Sequence, residues 1–502
     1  MRKRSVIVII FLWAVTVFAL FPCGIAFAQA PDTLWTKTYG GIYDDIAYSV
    51  KQTSDGGYIV AGYSSSFGAG GYDVYLVKTN SGGDTLWIRT YGGINDDRGY
   101  SVQQTADGGY IVAGFTKSFG AGGSDVYLIK IDANGDLLWA KTYGGGDHDV
   151  GYAVQQTTDG YIIAGRTNSF GAGSFDLYLI RTDTNGDTLW TKTYGGISTD
   201  GGYSVQETAD GGYIAVGYTF SYGSGLGDVY LIKTDENGAI QWTKTYGGSR
   251  TEEGYSIEKT SDGGYIITGY TGSFGAGGND VYLIKIDSGG DTLWTRSYGG
   301  TEGDDGRSVQ QTADDGYIIT GRTSSFGQGS EDVYLIRTDE DGNTIWTETF
   351  GGTADDGGRF VQETSDGGYI ITGYTESFGA GYRDLYLIKI KPEPDIEEHQ
   401  NQNTNTQALF IEIFPNPFRD RVNIRCRMED GRWNSEDISL RIYDATGRLV
   451  KEFIPPTAYS SVPTVISWDG RDESGRKVRS GVYFLRLEAG GYRKTKKLLL
   501  VR

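Results

Sequence analysis

Trp87 to Trp139 reads WIRTYGGINDDRGYSVQQTADGGYIVAGFTKSFGAGGSDVYLIKIDANGDLLW, and the period of this stretch decides the fold. It divides into four apolar-alternating runs, Gly99–Thr105, Gly109–Thr116, Asp125–Ile131 and Asp136–Thr142. Alternation with a period of two predicts strands, here named A, B, C and D. Ala106-Asp107-Gly108 joins A to B, and Asp132-Ala133-Asn134-Gly135 joins C to D. Asp-Gly and Asn-Gly tolerate the positive φ that a tight hairpin demands. Four antiparallel strands per unit, repeated radially, describe a β-propeller blade.

The unit recurs along the chain. Tryptophans stand at Trp35, Trp87, Trp139, Trp190, Trp242, Trp294 and Trp346, spaced 52, 52, 51, 52, 52 and 52 residues apart. A fixed period near 50 marks a repeat architecture. The chain opens on a lone D strand, Asp32–Tyr39, continues through six full sets and stops after an A–B–C set at Ile390. The orphan first strand fits as the outer strand of the last set, which gives seven blades of four. An open solenoid would need atypical capping repeats, whereas a closed ring leaves few exposed edges. The expectation is an all-β, closed seven-bladed β-propeller over residues 29–390.

Composition agrees with short strands and tight turns: the 502 residues include 78 Gly and 37 Tyr. The net charge of −19 conceals an asymmetry. Residues 29–399 carry 24 basic and 52 acidic side chains, and residues 400–502 carry 18 basic and 12 acidic. So acidic a body repels phosphate backbones, which argues against a nucleic-acid partner.

Residues 1–28 read as an export signal. Met1-Arg2-Lys3-Arg4 is the positive cap, Ser5 to Leu20 the apolar run, and Ala26-Phe27-Ala28 the small-x-small cleavage pattern. An uncleaved anchor is the alternative use of so long an apolar run. Cys23 follows Pro22, a poor match to a lipoprotein signal. After cleavage Cys426 remains alone, so no intrachain disulfide is expected.

Residues 391–407 are polar and proline-bearing, as in a linker. Residues 408–502 then carry an ordered set of motifs: Phe414-Pro415-Asn416-Pro417-Phe418, Ile442-Tyr443-Asp444-Ala445-Thr446-Gly447-Arg448, Trp468-Asp469-Gly470, Ser480-Gly481-Val482-Tyr483-Phe484 and Lys496 to Arg502. This region resembles the C-terminal sorting domain of type IX secretion substrates and is similar to the immunoglobulin-like domain of flagellar hook-capping proteins. The resemblance implies a small Ig-like β-sandwich and the type IX export machinery as a partner. It also implies a cell-surface or extracellular address, with the membrane involved only through export or attachment. The blades in turn show Gly-x-x-x-Trp (Gly83 to Trp87, Gly135 to Trp139, Gly342 to Trp346). That resembles the tryptophan-docking motif of quinoprotein dehydrogenase propellers and implies a structural role for the seven tryptophans.

With A–B and C–D turns on one face, the longer B–C (SFGAGxxD) and D–A (GGxxxDDxG) loops share the other, the usual home of binding. The fourth position after the second D–A glycine is acidic in every copy: Asp45, Asp97, Asp149, Asp200, Glu252, Asp304 and Asp356. So is the residue opening each C strand, from Asp73 to Asp384. A group present in all blades reads first as scaffold. Departures from the repeat are more informative. The strand-A aromatic (Tyr48, Tyr100, Tyr152, Tyr203, Tyr255) becomes Arg307 and Arg359, and the strand-B aromatic becomes Arg166 and Arg322. These arginines, with Asp304 and Asp356, are the ligand-binding candidates, as an anion clamp or as pairs for nearby carboxylates. His148 is the only histidine of the blades, too few ligands for zinc. The segments from Asp132 and Asp183 resemble calcium loops but lack the full ligand series, so they read as turns and no cofactor is expected, with calcium the one possible ion. The leading expectation is an exported binding or adhesion module for a glycan or protein. Near-uniform blades argue against catalysis. The rival is a secreted polysaccharide hydrolase or lyase using loop-face carboxylates.

Overall fold

The computed structural model describes residues 30–393, 409–414, 421–428, 438–444, 448–453, 464–489 and 492–500. The signal segment, most of the linker, the Pro415–Phe418 motif and Ala445–Gly447 lie outside the described residues. The chain separates into two compact units, Met1–Glu393 and Pro394–Arg502.

The first unit is seven four-stranded antiparallel sheets. In blade 2 the strands are Asp97–Gln104, Tyr110–Thr116, Asp125–Ile131 and Leu137–Tyr143, in the order A-B-C-D. The last blade is ordered Thr33–Tyr39, Asp384–Ile390, Tyr369–Thr375, Asp356–Glu363, so the N-terminal strand is its D strand. Thr36 faces Ile388 and Tyr39 faces Leu385 in that pairing. Blade 1 packs on blade 7 through Ala47, Val50, Val60 and Val77 against Ile370, Leu385 and Leu387. The ring is closed.

Burial explains the residue pattern. Strands B and C are buried along nearly their whole length because each sheet is covered on both faces by its neighbours. Strand D alternates between exposed and half-buried positions, as an outer edge does. One charge interrupts each buried C strand: Lys78, Lys130, Arg181, Lys233, Lys285, Arg337 and Lys389. Each pairs with the Asp of its own A–B turn, for example Lys78 with Asp55 at 2.9 Å and Lys389 with Asp366 at 3.0 Å. Burial alone would raise the Asp55 carboxyl, but hydrogen bonds from Lys78, Thr53 and the Gly57 amide bring it down to about 2.

The tryptophans lock blade to blade. Gly83, Gly135, Gly186, Gly238, Gly290 and Gly342 have φ between +75° and +83°, and a Cβ there would stand 2.8–3.2 Å from the preceding blade's indole. Only glycine meets both demands. The tyrosine four residues after each of these indoles donates to the same glycine's carbonyl, as from Tyr143 to Gly186 at 2.6 Å. Blade 7 has no C–D turn, since the chain enters and leaves there. Phe350 replaces the tyrosine of blade 6 at that junction, and Trp346 joins a buried cluster against which Ala30 packs.

The second unit is a β-sandwich of a three-stranded and a four-stranded sheet. Its core is Val422, Ile424, Leu440, Ile442, Val450, Trp468, Tyr483, Leu485, Leu498 and Leu500.

Candidate functional site

The A strands enclose a central cavity of about 490 Å³. Each A strand bulges at its lumen residue, between Gly99 and Ser101 in blade 2 and between Gly306 and Ser308 in blade 6. The bulge re-aims one side chain per blade into the lumen. Those side chains are Tyr48, Tyr100, Tyr152, Tyr203, Tyr255, Arg307 and Arg359. They form a continuous collar. Ring centroids are 4.9 Å apart for Tyr48–Tyr100, 5.3 Å for Tyr100–Tyr152 and 5.0 Å for Tyr152–Tyr203 and Tyr203–Tyr255. Arg307 then lies 4.0 Å over Tyr255, and Arg359 lies 5.1 Å over Tyr48.

Arg307, Arg322 and Arg359 therefore converge on one sector. The carboxylate that joins two of them is Asp305, which accepts from Arg307 at 2.7 Å and Arg322 at 2.6 Å. Burial would raise the Asp305 carboxyl, but the two guanidiniums hold it well below the usual range. Arg322 also pairs with Glu331 at 2.9 Å. Among the described residues Arg359 has no ion pair or hydrogen bond, and its Nε is buried. Burial first, and then repulsion from Arg307, lower its pKa. Arg166 sits apart in blade 3, 4.5 Å over Phe175 and 3.3 Å from the Tyr218 hydroxyl.

Asp304 and Asp356 are buried in the loop framework. Asp304 Oδ2 accepts from the Gly300 amide at 2.8 Å and the Ser325 hydroxyl at 2.7 Å, tying the D–A loop to the B–C loop. Asp356 does the same with Gly352 and Ser377. Their Oδ1 atoms have no hydrogen-bond partner among the described residues. Across each blade junction this acid faces the C-strand acid: at Gly92 a Cβ would stand 2.1 Å from Asp73 Oδ1 and 2.6 Å from Asp97 Oδ2. Burial and the neighbouring charge raise the C-strand carboxyls of Asp73 and Asp228, the latter to about 6. Asp132 Oδ1 accepts from the Asn134 and Asp136 amides as a turn does. His148 Nδ1 lies 3.3 Å from Ser124 Oγ. Among the described residues no cluster of three or more His, Cys, Asp or Glu stands ready for a metal ion.

The loop face carries another ring, unnoticed in the sequence. Phe67, Phe119, Phe170, Tyr222, Phe274, Phe326 and Phe378, one from each B–C loop, are 43–47% exposed. Each leans on the C-strand tyrosine of its own blade, at centroid separations of 5.6–6.0 Å. The loop is held by the last Ser or Thr of strand B, as where Thr116 Oγ1 accepts from the Ser118 and Phe119 amides at 3.0 and 3.1 Å. The signal was the invariant aromatic of SFGAG, an apolar residue in an otherwise polar, glycine-rich loop. Asp305, Glu331 and Arg98 were likewise missed. Arg98, 4.3 Å over Tyr63, stands at a position that varies from blade to blade, the one that holds Asp305 in blade 6.

Residues 412–501 match the Secretion system C-terminal sorting domain. That domain marks proteins exported by type IX secretion, so this chain is addressed to the cell surface or the extracellular space. The regulatory protein FlaEY of Caulobacter vibrioides is 32% identical over 117 residues, 20% of this chain and 12% of that protein's length. PorZ, an essential surface component of the type IX secretion system of Porphyromonas gingivalis, is similar in structure at 14% identity with a TM-score of 0.40. The match covers 92% of this chain and 60% of PorZ. The polysaccharide lyase Uly1 is similar at 13% identity and a TM-score of 0.45, over 71% of this chain and 92% of the lyase.

Proposed function

We propose that this exported propeller is a multivalent binding module, without catalytic activity, that holds a glycan through its loop face. The observation that carries the reading is the sevenfold ring of half-exposed aromatic side chains on loops stiffened by hydrogen bonds. An exposed aromatic face stacks on the C–H face of a sugar and needs little ordering, since its rotamer is already fixed by the tyrosine beneath. One such contact is weak. Seven on one rigid ring engage a repeating polymer together, so that later contacts form at high effective concentration. The acids that would serve a hydrolase are buried at blade junctions and take up loop amides and hydroxyls, which favours binding over cleavage.

A glycan array run beside a reducing-sugar release assay tests this. Retention of a polysaccharide without new reducing ends is expected, lost on changing the ring aromatics to Ala. Release of reducing ends would replace this reading with the polysaccharide hydrolase or lyase one, and retention of a protein ligand alone would remove the glycan.

A further inference from the structure

The central cavity has a chemistry of its own, separate from the loop-face ring. Several of its oxygen acceptors are already engaged. Ser49 Oγ accepts from the Val102 amide at 3.3 Å, and Ser101 Oγ from Val154 at 3.3 Å. Gln103 Oε1 accepts from the Gln156 amide at 2.7 Å, and Gln310 Oε1 from Glu363 at 2.6 Å. Left over among these lining groups are donors: serine O–H, glutamine N–H₂ and the collar arginines. A lumen rich in donors suits a ligand rich in acceptors.

Its charge is unbalanced in one sector. Asp305 and Glu331 answer Arg307 and Arg322, while Arg359 faces Arg307, Arg322 and Asp305 with no carboxylate of its own among the described residues. A buried guanidinium lacking an ion pair is costly, and a bidentate carboxylate is the partner its planar fork fits best. The cavity of about 490 Å³ falls in the range of small-molecule sites. It is walled by tyrosine rings at the level of Arg359. We propose that the central channel binds one sugar acid, its carboxylate on Arg359, its ring against the tyrosine collar and its hydroxyls on the serine and glutamine donors.

Calorimetric titration of the mature protein with glucuronate, galacturonate, glucose and acetate tests the assignment, with thermal melts as a control on folding. Either uronate should bind at least about tenfold more tightly than glucose and than acetate. Arg359→Tyr should lower uronate affinity about tenfold or more without lowering the melting temperature, because five blades already hold Tyr at this position. Arg359→Lys keeps the charge but not the fork, and should fall between. Unchanged uronate affinity in Arg359→Tyr overturns the proposal, as does glucose or acetate binding as well as both uronates, or no uronate binding at all. If Arg359→Tyr melts lower, the lysine variant decides: unchanged affinity there overturns the assignment, and a loss supports it. The loop-face reading stands or falls separately, since the ring aromatics lie outside this cavity.

Discussion

Lys51→Gln should stabilise the ring. At six of the seven blade junctions the inner-ring side chain accepts a hydrogen bond from a backbone amide of the next blade. The acceptors are Gln362, Gln103, Gln155, Gln206, Glu258 and Gln310, and the distances run from 2.6 to 3.1 Å. Lys51, the seventh member, has no acceptor to offer the Gln104 amide. Its ammonium lies 4.4 Å over Phe360, and burial lowers its pKa. Replacing it with Gln supplies the missing bond, a net gain of about 0.5–1.5 kcal/mol. A charge leaves the lumen as well. One effect opposes these. Burial raises Glu258 to about 7 and Lys51 acts against that rise, so removing Lys51 moves Glu258 higher still. Below pH 7 Glu258 is then mostly protonated and the loss is small; above pH 7 the folded chain must hold an uncompensated carboxylate. The gain should therefore be largest near pH 6 and shrink by pH 8. Lys51→Gln/Glu258→Gln, an all-glutamine ring, should gain at both. Urea denaturation reads the change as a higher midpoint at unchanged slope. A lower midpoint for Lys51→Gln at pH 6 refutes the reasoning.

Deleting Asp32–Tyr39 strips the D strand from the last blade and bares Asp384–Ile390 as an unpaired edge; a large drop in melting temperature or aggregation is expected, and an unchanged melt speaks against closure. A chain ending at Glu393, which keeps the Arg337–Glu393 pair at 2.8 Å, should fold but stay in the periplasm of a type IX-competent host; surface labelling equal to that of the full chain contradicts the role of residues 412–501. Asp228 titrates near 6 in the folded chain against 3.8 ordinarily, so folding favours its protonated form and stability falls as pH rises between those values. Asp228→Asn should flatten that part of the curve of melting temperature against pH, and an unchanged slope rejects the assignment.

The fold was legible because its strongest signals are local and periodic. A glycine with positive φ four residues before each internal tryptophan sets both the hairpin and the docking of the preceding indole. Strand ends fell within two residues in the blade quoted at the outset. The site was only partly legible. Arg307 and Arg322 do meet at a carboxylate, but at Asp305, one residue beyond the repeated acid, because the pleat turns Asp304 to its loop and Asp305 to the arginines. The paired charges of C strand and A–B turn were visible as a lysine or arginine inside each DVYLIK-type run, yet partners about 23 residues apart in sequence have no short-range signature. Repetition hid the aromatic ring: Phe67 and its equivalents look like loop filler until the ring closes and sets them on one face.

The central claim, a multivalent aromatic binding face, is tested most directly by affinity against the number of intact rings. Aromatic-to-Ala changes at Phe67, Phe119, Phe170, Tyr222, Phe274, Phe326 and Phe378 would be combined in one, three and all seven blades. Binding of each to the polysaccharide retained on the array would be measured beside its melting curve. The account predicts a modest loss, under about tenfold, for one blade, a steeper loss for three, and none retained for seven, with melting temperatures close to the parent's. Undiminished retention by the seven-blade variant would contradict it.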